Sequence, residues 1–260
     1  QLNFNRVITG SDINPIAKKS NIFNDYKEFI SEKKFKIWYP SLDLQSDMET
    51  RQCYKGGFTF ANPEYIGETI KENGMVLDVN SLYPSVLYDR LLPYGEGVFF
   101  EGEYKEDNVY PLYIQRFTCC FRIKEGKIPT IQIKHSRFVD NEYLTYSGEK
   151  PVALTLTSVH LKLFLEHYDI CEENWESGWK FKAMRGLFTE YIDKWIKVKN
   201  DATISGNKGM RQVAKILLNS LYGKFATSLD VQSKIPYLEN DIVKYKLGEK
   251  TTKDGVYLPM

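Results

Sequence analysis

An α+β fold is predicted by three features of the sequence. Between residues 97 and 180, short β-prone pieces alternate with Gly, Pro, Asn and Asp turns. From Gly186 to Phe225, two stretches carry apolar residues at helical spacing. From Gly74, an apolar run, MVLDV, breaks into the proline-bearing NSLYPS. With 260 residues, the chain is long enough to bury a full core in more than one structural unit.

The first 50 residues are mixed and Lys-rich and predict one helix, Asn24 to Lys34, with Pro40 breaking the chain after FKIWY. CYKGGFTFANPEY follows. There Gly56 and Gly57 permit close backbone approach and are flanked by Tyr54, Phe58 and Phe60. MVLDV predicts a strand. NSLYPSVLYDRLLPYGEG then predicts a turn and a short helix, with Pro84 in its first turn and Val86, Leu87, Leu91 and Leu92 at helical spacing. VFFEGEY, FTCCFRI, TIQIKHSRF and PVALTLTSV predict strands of an inserted α+β unit, and HLKLFLEHY an amphipathic helix. Gly186 to Lys199, GLFTEYIDKWIKVK, predicts a helix with Leu187, Phe188, Tyr191, Ile192, Trp195 and Ile196 on one side. The loop NDATISGNKG leads to a second helix, MRQVAKILLNSLYGKF, so that the two form an antiparallel hairpin. After Thr227, KIPYL and KYKL predict short strands.

Composition excludes several classes. A formal charge of +1 with 42% hydrophobic and 27% charged residues gives no global attraction to nucleic acid or membranes, so any such affinity must be local. No apolar run approaches the ~20 residues a bilayer span needs, and QLNFNRVITG lacks the basic and apolar regions of a leader. Cys53, Cys119, Cys120 and Cys171, and His135, His160 and His167, lack ligand spacing and are expected to be structural or surface residues of a protein in a reducing cytoplasm. The 18 Tyr and 15 Phe mostly pack cores and strands, although some can serve as stacking surfaces. A start at Gln1 rather than Met and an end inside the strand-like GVYLPM predict an internal segment.

The second helix holds a basic stripe. Relative to Arg211, Tyr222 falls about 20° away, Lys215 about 40°, Lys208 about 60° and Asn219 about 80° on a helical wheel. Val213, Ala214, Ile216, Leu217, Leu218, Leu221 and Phe225 are expected to anchor the helix. From Lys208 to Lys224 there is no acidic residue, whereas ordinary solvated helices mix signs to gain i,i+4 pairs. Lys194, Lys197, Lys199, Lys208, Arg211, Lys215 and Lys224 face one acid, Asp201, a surplus suited to a triphosphate or a nucleic-acid backbone. A merely solvated basic helix is the alternative.

Asp78 ends the MVLDV run. A carboxylate at a strand end, followed by a turn with free carbonyls, suits a hard cation such as Mg²⁺. A capping or turn role is the more ordinary one for a single Asp.

DVNSLYPS resembles motif A of the family B DNA polymerases, Asp-x-x-Ser-Leu-Tyr-Pro-Ser, and KILLNSLYGKF resembles their motif B, Lys-x-x-x-Asn-Ser-x-Tyr-Gly. CYKGGFT resembles the Tyr-x-Gly-Gly motif of the protein-primed subgroup, the bacteriophage phi-29 type. Order and separation agree, and DRLLPYGEG, IPTIQIKHSRF, NEYL, GLFTEYIDKW and KIPYL extend the likeness over nearly the whole chain.

The resemblance implies an α+β palm with a partial antiparallel sheet, helical-hairpin fingers and two small insertions. Residues 1–89 would be the end of the exonuclease linker and the N-terminal palm. Residues 90–185 would be an insertion that docks a terminal-protein primer, 186–229 the fingers, 230–251 a second insertion for processivity and strand displacement, and 252–260 the resuming palm. It further implies DNA template-primer, dNTP and terminal protein as partners, no membrane, and Mg²⁺ or Mn²⁺, two ions in the complete enzyme. Asp78 and the Val79 carbonyl would hold metal. Tyr83 would lie beneath the deoxyribose and exclude a 2′-hydroxyl. Lys215, Arg211 and Lys199 would meet the triphosphate, and Asn219 and Tyr222 the nascent pair. Tyr54, Gly56, Gly57, Phe58, Ser81, Ser220 and Gly223 would contact DNA. Asp78 and Lys215 are the catalytic candidates. The loop NDATISGNKG is longer than the family's, which bears on the placement of Lys199 at the end of its helix.

The family's motif C, Tyr-x-Asp-Thr-Asp-Ser, is missing. The sequence holds no Asp-x-Asp, and its nearest patterns, Asp47-x-Glu49 and Asp140-x-Glu142, stand elsewhere. A two-ion reaction needs further carboxylates, so the segment alone is expected to be inactive while its parent is a DNA-directed DNA polymerase of a bacterial cytoplasm. The alternative is a non-catalytic module binding single-stranded DNA or terminal protein. An RNA-synthesising palm enzyme is disfavoured, because those place a second Asp five positions after the first, where Tyr83 stands.

Overall fold

The alternation in FTCCFRI puts Phe117, Cys119 and Phe121 on one face of a strand, and all three are buried. This strand organises the larger unit of the computed structural model, which describes residues 26, 28–55, 57–133, 142–225, 234–239, 242–247, 250–251 and 257–258. The chain divides into two units, Lys27–Ile192, and Gln1–Tyr26 with Asp193–Met260.

In the larger unit, α1 (Glu32–Trp38) is capped by Ser31 and α2 (Leu44–Arg51) by Asp43, whose carboxylate accepts from the Ser46 N–H. The helix expected from Asn24 to Lys34 is interrupted: residues 24, 25 and 27 lie outside the described residues, and Tyr26 is helical. Residues 28–30 form a turn, and α1 starts beyond the Ser31 cap. α2 has no apolar stripe, so periodicity gave no sign of it. α3 (Leu82–Asp89) carries Pro84 in its first turn as expected, but ends before Leu91 and Leu92. Leu92 begins β1 (Leu92–Glu101).

β2 (Leu112–Ile123), β5 (Val152–Thr157) and the 17-residue β6 (Tyr168–Met184) join β1 in an antiparallel sheet of order β1-β6-β2-β5. β6 leaves no mark in the sequence pattern, because its polar residues hide its period. α4 (Ser158–His167), capped by Thr157, buries Leu161 and Phe164. They join Phe117, Cys119, Phe121, Ile131, Leu154, Leu156 and Tyr168 in one core.

A two-stranded ribbon, β3 (Ile131–Ile133) with β4 (Glu142–Leu144), is tied to this core by the buried Tyr168. Its phenol oxygen accepts from the Thr130 and Ile131 N–H groups at 2.8 and 3.3 Å and donates to the Leu144 carbonyl at 2.8 Å. A second internal tie is Gln115, 1% exposed. Its amide donates to the Gly102 and Ser177 carbonyls, each at 3.0 Å, and accepts from the Tyr104 N–H at 2.9 Å.

The strand expected at MVLDV is absent. Residues 75–79 form neither helix nor strand, and Val76 is 97% exposed. A strand exists only through its ladder partners, and no described strand pairs with this one.

In the smaller unit, α5 (Thr189–Ile204) continues from the larger one, and α6 (Lys208–Phe225) follows. β7 (Lys234–Glu239) and β8 (Ile242–Leu247) form a hairpin, with β9 (Lys250–Thr251) and β10 (Tyr257–Leu258) paired after them. The helix expected from Gly186 starts three residues later, because Gly186 has φ +74°, and it runs on through Ile204. The loop expected to be long is three residues. It closes as a Schellman turn, with Asn207 N–H to Ala202 O at 2.8 Å, Gly206 N–H to Thr203 O at 3.3 Å, and Gly206 at φ +69°. No helix among the described residues is long and apolar enough to cross a membrane.

Candidate functional site

On α6 the stripe is presented as the wheel requires. Asn207 caps the helix, its side-chain oxygen accepting from the Met210 N–H at 3.0 Å, so the helix starts early enough to include Lys208. Lys208, Arg211, Lys215, Asn219 and Tyr222 are exposed, and Ala214, Leu218 and Leu221 are buried. The buried row runs beside the stripe rather than opposite it. Leu218 lies about 20° from Arg211 on the wheel, and Val213 and Ile216, expected to anchor the helix, are only half-buried. An anchor this close fixes the direction of the cationic face while leaving the long side chains in water.

Gly223 also lies on α6, and a Cβ built there meets nothing within 4 Å. Ser220 donates to the Leu217 carbonyl at 3.5 Å, an ordinary back-bond within the helix. Lys199 was expected at the end of its helix. It lies instead within α5, where its carbonyl accepts from the Thr203 hydroxyl at 2.7 Å, because the helix extends five residues further than the polar sequence NDATI suggested.

In the larger unit, Asp78 and Val79 lie on the exposed segment before α3, and Ser81 begins that helix in the left-handed region at φ 54°. Such a backbone is uncommon for a residue with a Cβ. The geometry turns the chain sharply between Asp78 and Tyr83. Tyr83 is 44% exposed, and its hydroxyl lies 3.9 Å from where a Cβ on Gly57 would stand. Gly57 and motif A, about twenty residues apart in sequence, are thus neighbours in space. Gly56 lies outside the described residues.

Tyr54 and Phe58 are exposed. Phe58 stacks on Phe60 at 6.0 Å between centroids and receives the edge of Tyr143 at 5.1 Å, while the Thr59 N–H donates to the Tyr143 hydroxyl at 3.1 Å. Sequence reasoning missed Tyr143 as a partner of this loop. NEYL was noticed as a family fragment, but a contact across 84 positions leaves no mark in spacing.

Among the described residues, no group of three or more His, Cys, Asp or Glu is placed to hold a metal ion. Asp78 and the Val79 carbonyl would supply two of the six oxygens of an octahedral Mg²⁺ shell, so among the described residues they fit part of such a site and do not complete one. The thiols of Cys53 and Cys119 are pushed up by burial to about 11 and about 12, which keeps them protonated and unreactive at neutral pH.

The chain is similar to known DNA polymerases. The chain is 51% identical over 243 residues to the DNA polymerase of Bacillus phage phi29, covering 93% of this chain and 41% of that protein. It is 32% identical over 237 residues to the DNA polymerase of Streptococcus phage Cp-1, covering 88% and 41%. It superposes on the phi29 DNA polymerase complexed with primer-template DNA and incoming nucleotide with a TM-score of 0.77 at 50% identity, covering 91% of this chain and 41% of that one. For the orthorhombic crystal form of that polymerase the TM-score is 0.79 at 46% identity, covering 100% and 44%. The chain spans about two fifths of the length of these relatives. The mixed helical and antiparallel-sheet fold is theirs. A family model described as DNA polymerase type B, organellar and viral, matches residues 16–260, and the chain belongs to that family.

Proposed function

We propose that this chain is the palm-and-fingers segment of a DNA-directed, protein-primed DNA polymerase that adds dNTPs to a terminal-protein or DNA primer in a bacterial host's cytoplasm. The observation that carries the reading is the exposed face of α6, which is free of acidic residues along the whole helix. Its cations suit a polyphosphate, and its neutral end suits a base pair.

In this reading Lys215 and Arg211 bind the triphosphate, with Lys199 as a further cation. Asn219 and Tyr222 border the nascent pair, and Ser220 and Gly223 face DNA. The Tyr83 ring lies beneath the sugar and leaves no room for a 2′-hydroxyl. Tyr54, Gly56, Gly57 and Phe58 receive single-stranded template beside Ser81. The regions proposed are 1–89 for linker and palm, 90–185 for a first terminal-protein insertion, 186–229 for fingers, 230–251 for a second insertion and 252–260 for the resuming palm. Solved structures of the phi29 relative contain primer-template DNA and incoming nucleotide, which supports the same ligand classes here.

Divalent-metal use is general to the family. Asp78 and the Val79 carbonyl would hold part of one ion's shell, and two bound ions, Mg²⁺ or Mn²⁺, would supply electrostatic stabilisation of the transferring phosphoryl group. Because these residues do not complete a site, the 260-residue chain is proposed to bind its ligands without catalysing extension. Incubation with primer-template, dNTPs and Mg²⁺ tests this. No extension is expected, and templated extension overturns the proposed inactivity. In a complete polymerase, Tyr83→Val should raise ribonucleotide incorporation, and unchanged sugar discrimination would remove the steric role.

A further inference from the structure

We infer that Tyr143, contributed by the inserted sheet, is a positioning residue that holds the Phe58 ring ready to stack on a base of single-stranded template. The inference rests on the proposed template role of the Tyr54–Phe58 loop and adds the element that shapes it.

Residues 57–62 form no helix or strand, so their own backbone does not fix where Phe58 points. Two contacts from Tyr143 do so. The hydroxyl accepts the Thr59 N–H at 3.1 Å, pinning the backbone next to Phe58. The ring meets Phe58 edge-on, with centroids 5.1 Å apart and planes at 66°, and meets Phe60 at 6.3 Å and 88°. Edge-to-face contacts of this kind are favourable and directional. Phe58 nonetheless stays 53% exposed, so part of its ring is open to a partner.

Tyr143 is itself held rigidly. It lies on β4 opposite Gln132 of β3, and the buried Tyr168 hydroxyl bonds the next residue's carbonyl, Leu144, as well as the Thr130 and Ile131 N–H groups. Core, ribbon and loop thus form a continuous support, and an aromatic ring fixed in advance loses less freedom on binding a base.

The test is equilibrium binding of the 260-residue chain to fluorescein-labelled oligo(dT), read by anisotropy, with circular dichroism of each variant as the folding control. Phe58→Ala should weaken binding roughly 5- to 150-fold, the range for loss of one base–aromatic stack. Tyr143→Phe keeps the ring and loses the Thr59 bond, and should weaken binding about 2- to 10-fold. Tyr143→Ala should approach Phe58→Ala, and the double variant should lie within about twofold of Phe58→Ala alone, since Tyr143 acts through that ring. A purely structural Tyr143 would instead give multiplicative losses. Multiplicative losses, or parental binding by both Tyr143 variants while Phe58→Ala is weakened, overturn the inference and leave the template loop standing. Parental binding by Phe58→Ala, or no binding by the parent chain, overturns the loop's template role and the inference with it.

Discussion

Gly223→Ala separates the folding role of a glycine from its proposed role at DNA. Gly223 is in the last turns of α6, its φ lies outside the left-handed region, and an added Cβ would meet nothing within 4 Å. Nothing in the fold requires glycine there. Replacing it relieves the entropic penalty of a helical glycine, about 0.5–1 kcal/mol, which in a chain of this size raises Tm by about 2–4 °C at the upper figure. If the template backbone approaches this position as proposed, the same methyl group intrudes on the contact. An overpacking cost of ~1–3 kcal/mol then weakens primer-template binding roughly 5- to 150-fold. Thermal unfolding followed by circular dichroism, with anisotropy of labelled primer-template, reads both quantities. A lower Tm would refute the open helical placement of Gly223. A higher Tm with unchanged DNA affinity would refute the close approach. Gly178→Ala is the counter-case, because its Cβ would overlap the Ile114 carbonyl and the Phe100 ring inside the sheet. It should cost about 1–3 kcal/mol of stability.

Gln115→Leu should destabilise the larger unit by about 1–3 kcal/mol in urea unfolding, since it strands the Tyr104 N–H and the Gly102 and Ser177 carbonyls in a buried setting; a neutral result would mean those groups find other partners. Burial, followed by the nearby positive charge of Lys55, holds His160 below its ordinary value of 6.5, although its ring contact with the Thr130 carbonyl opposes this. The folded chain therefore keeps it neutral where the unfolded chain takes up a proton. Its contribution is present above about pH 6.5 and is lost on acidification below it, so His160→Asn should flatten the fall in unfolding free energy between about pH 7 and 5.5, and an unchanged slope would refute the assignment. Arg211→Ala should lower the salt dependence of DNA binding by about one counterion in the log–log slope, and an unchanged slope would place Arg211 off the phosphates.

Legibility followed the range of the forces involved. The α6 stripe was readable because five side chains at helical spacing define a face without help from the rest of the chain, and FTCCFRI was readable because its residues are β-prone and Phe117, Cys119 and Phe121 recur at every second position. The α5 boundary was misread because NDATI carries polar residues that fit a loop as well as a helix; the Schellman turn at Gly206 decided it. β6 escaped because its pairing with β1 and β2, rather than its own pattern, makes it a strand. The Tyr143 contact escaped for the same reason, since it exists only after the inserted sheet has folded.

MVLDV shows the other side of this dependence. Its β-branched and apolar residues favour a strand no less than those of FTCCFRI, yet Met75, Val76 and Leu77 stand in solvent while Phe117 and Phe121 are buried. Propensity in strands is largely a measure of packing against neighbours, and the difference between the two segments is the presence of paired strands on either side of β2. Asp78 therefore takes its position from a segment that the described residues do not support. Phe58, by contrast, is braced through Tyr143 by a buried core. Precision at a reacting centre requires support of the second kind. Among the described residues, the proposed template and triphosphate elements thus have packed support that the Asp78 segment lacks, which is the physical basis for the proposal of binding without extension.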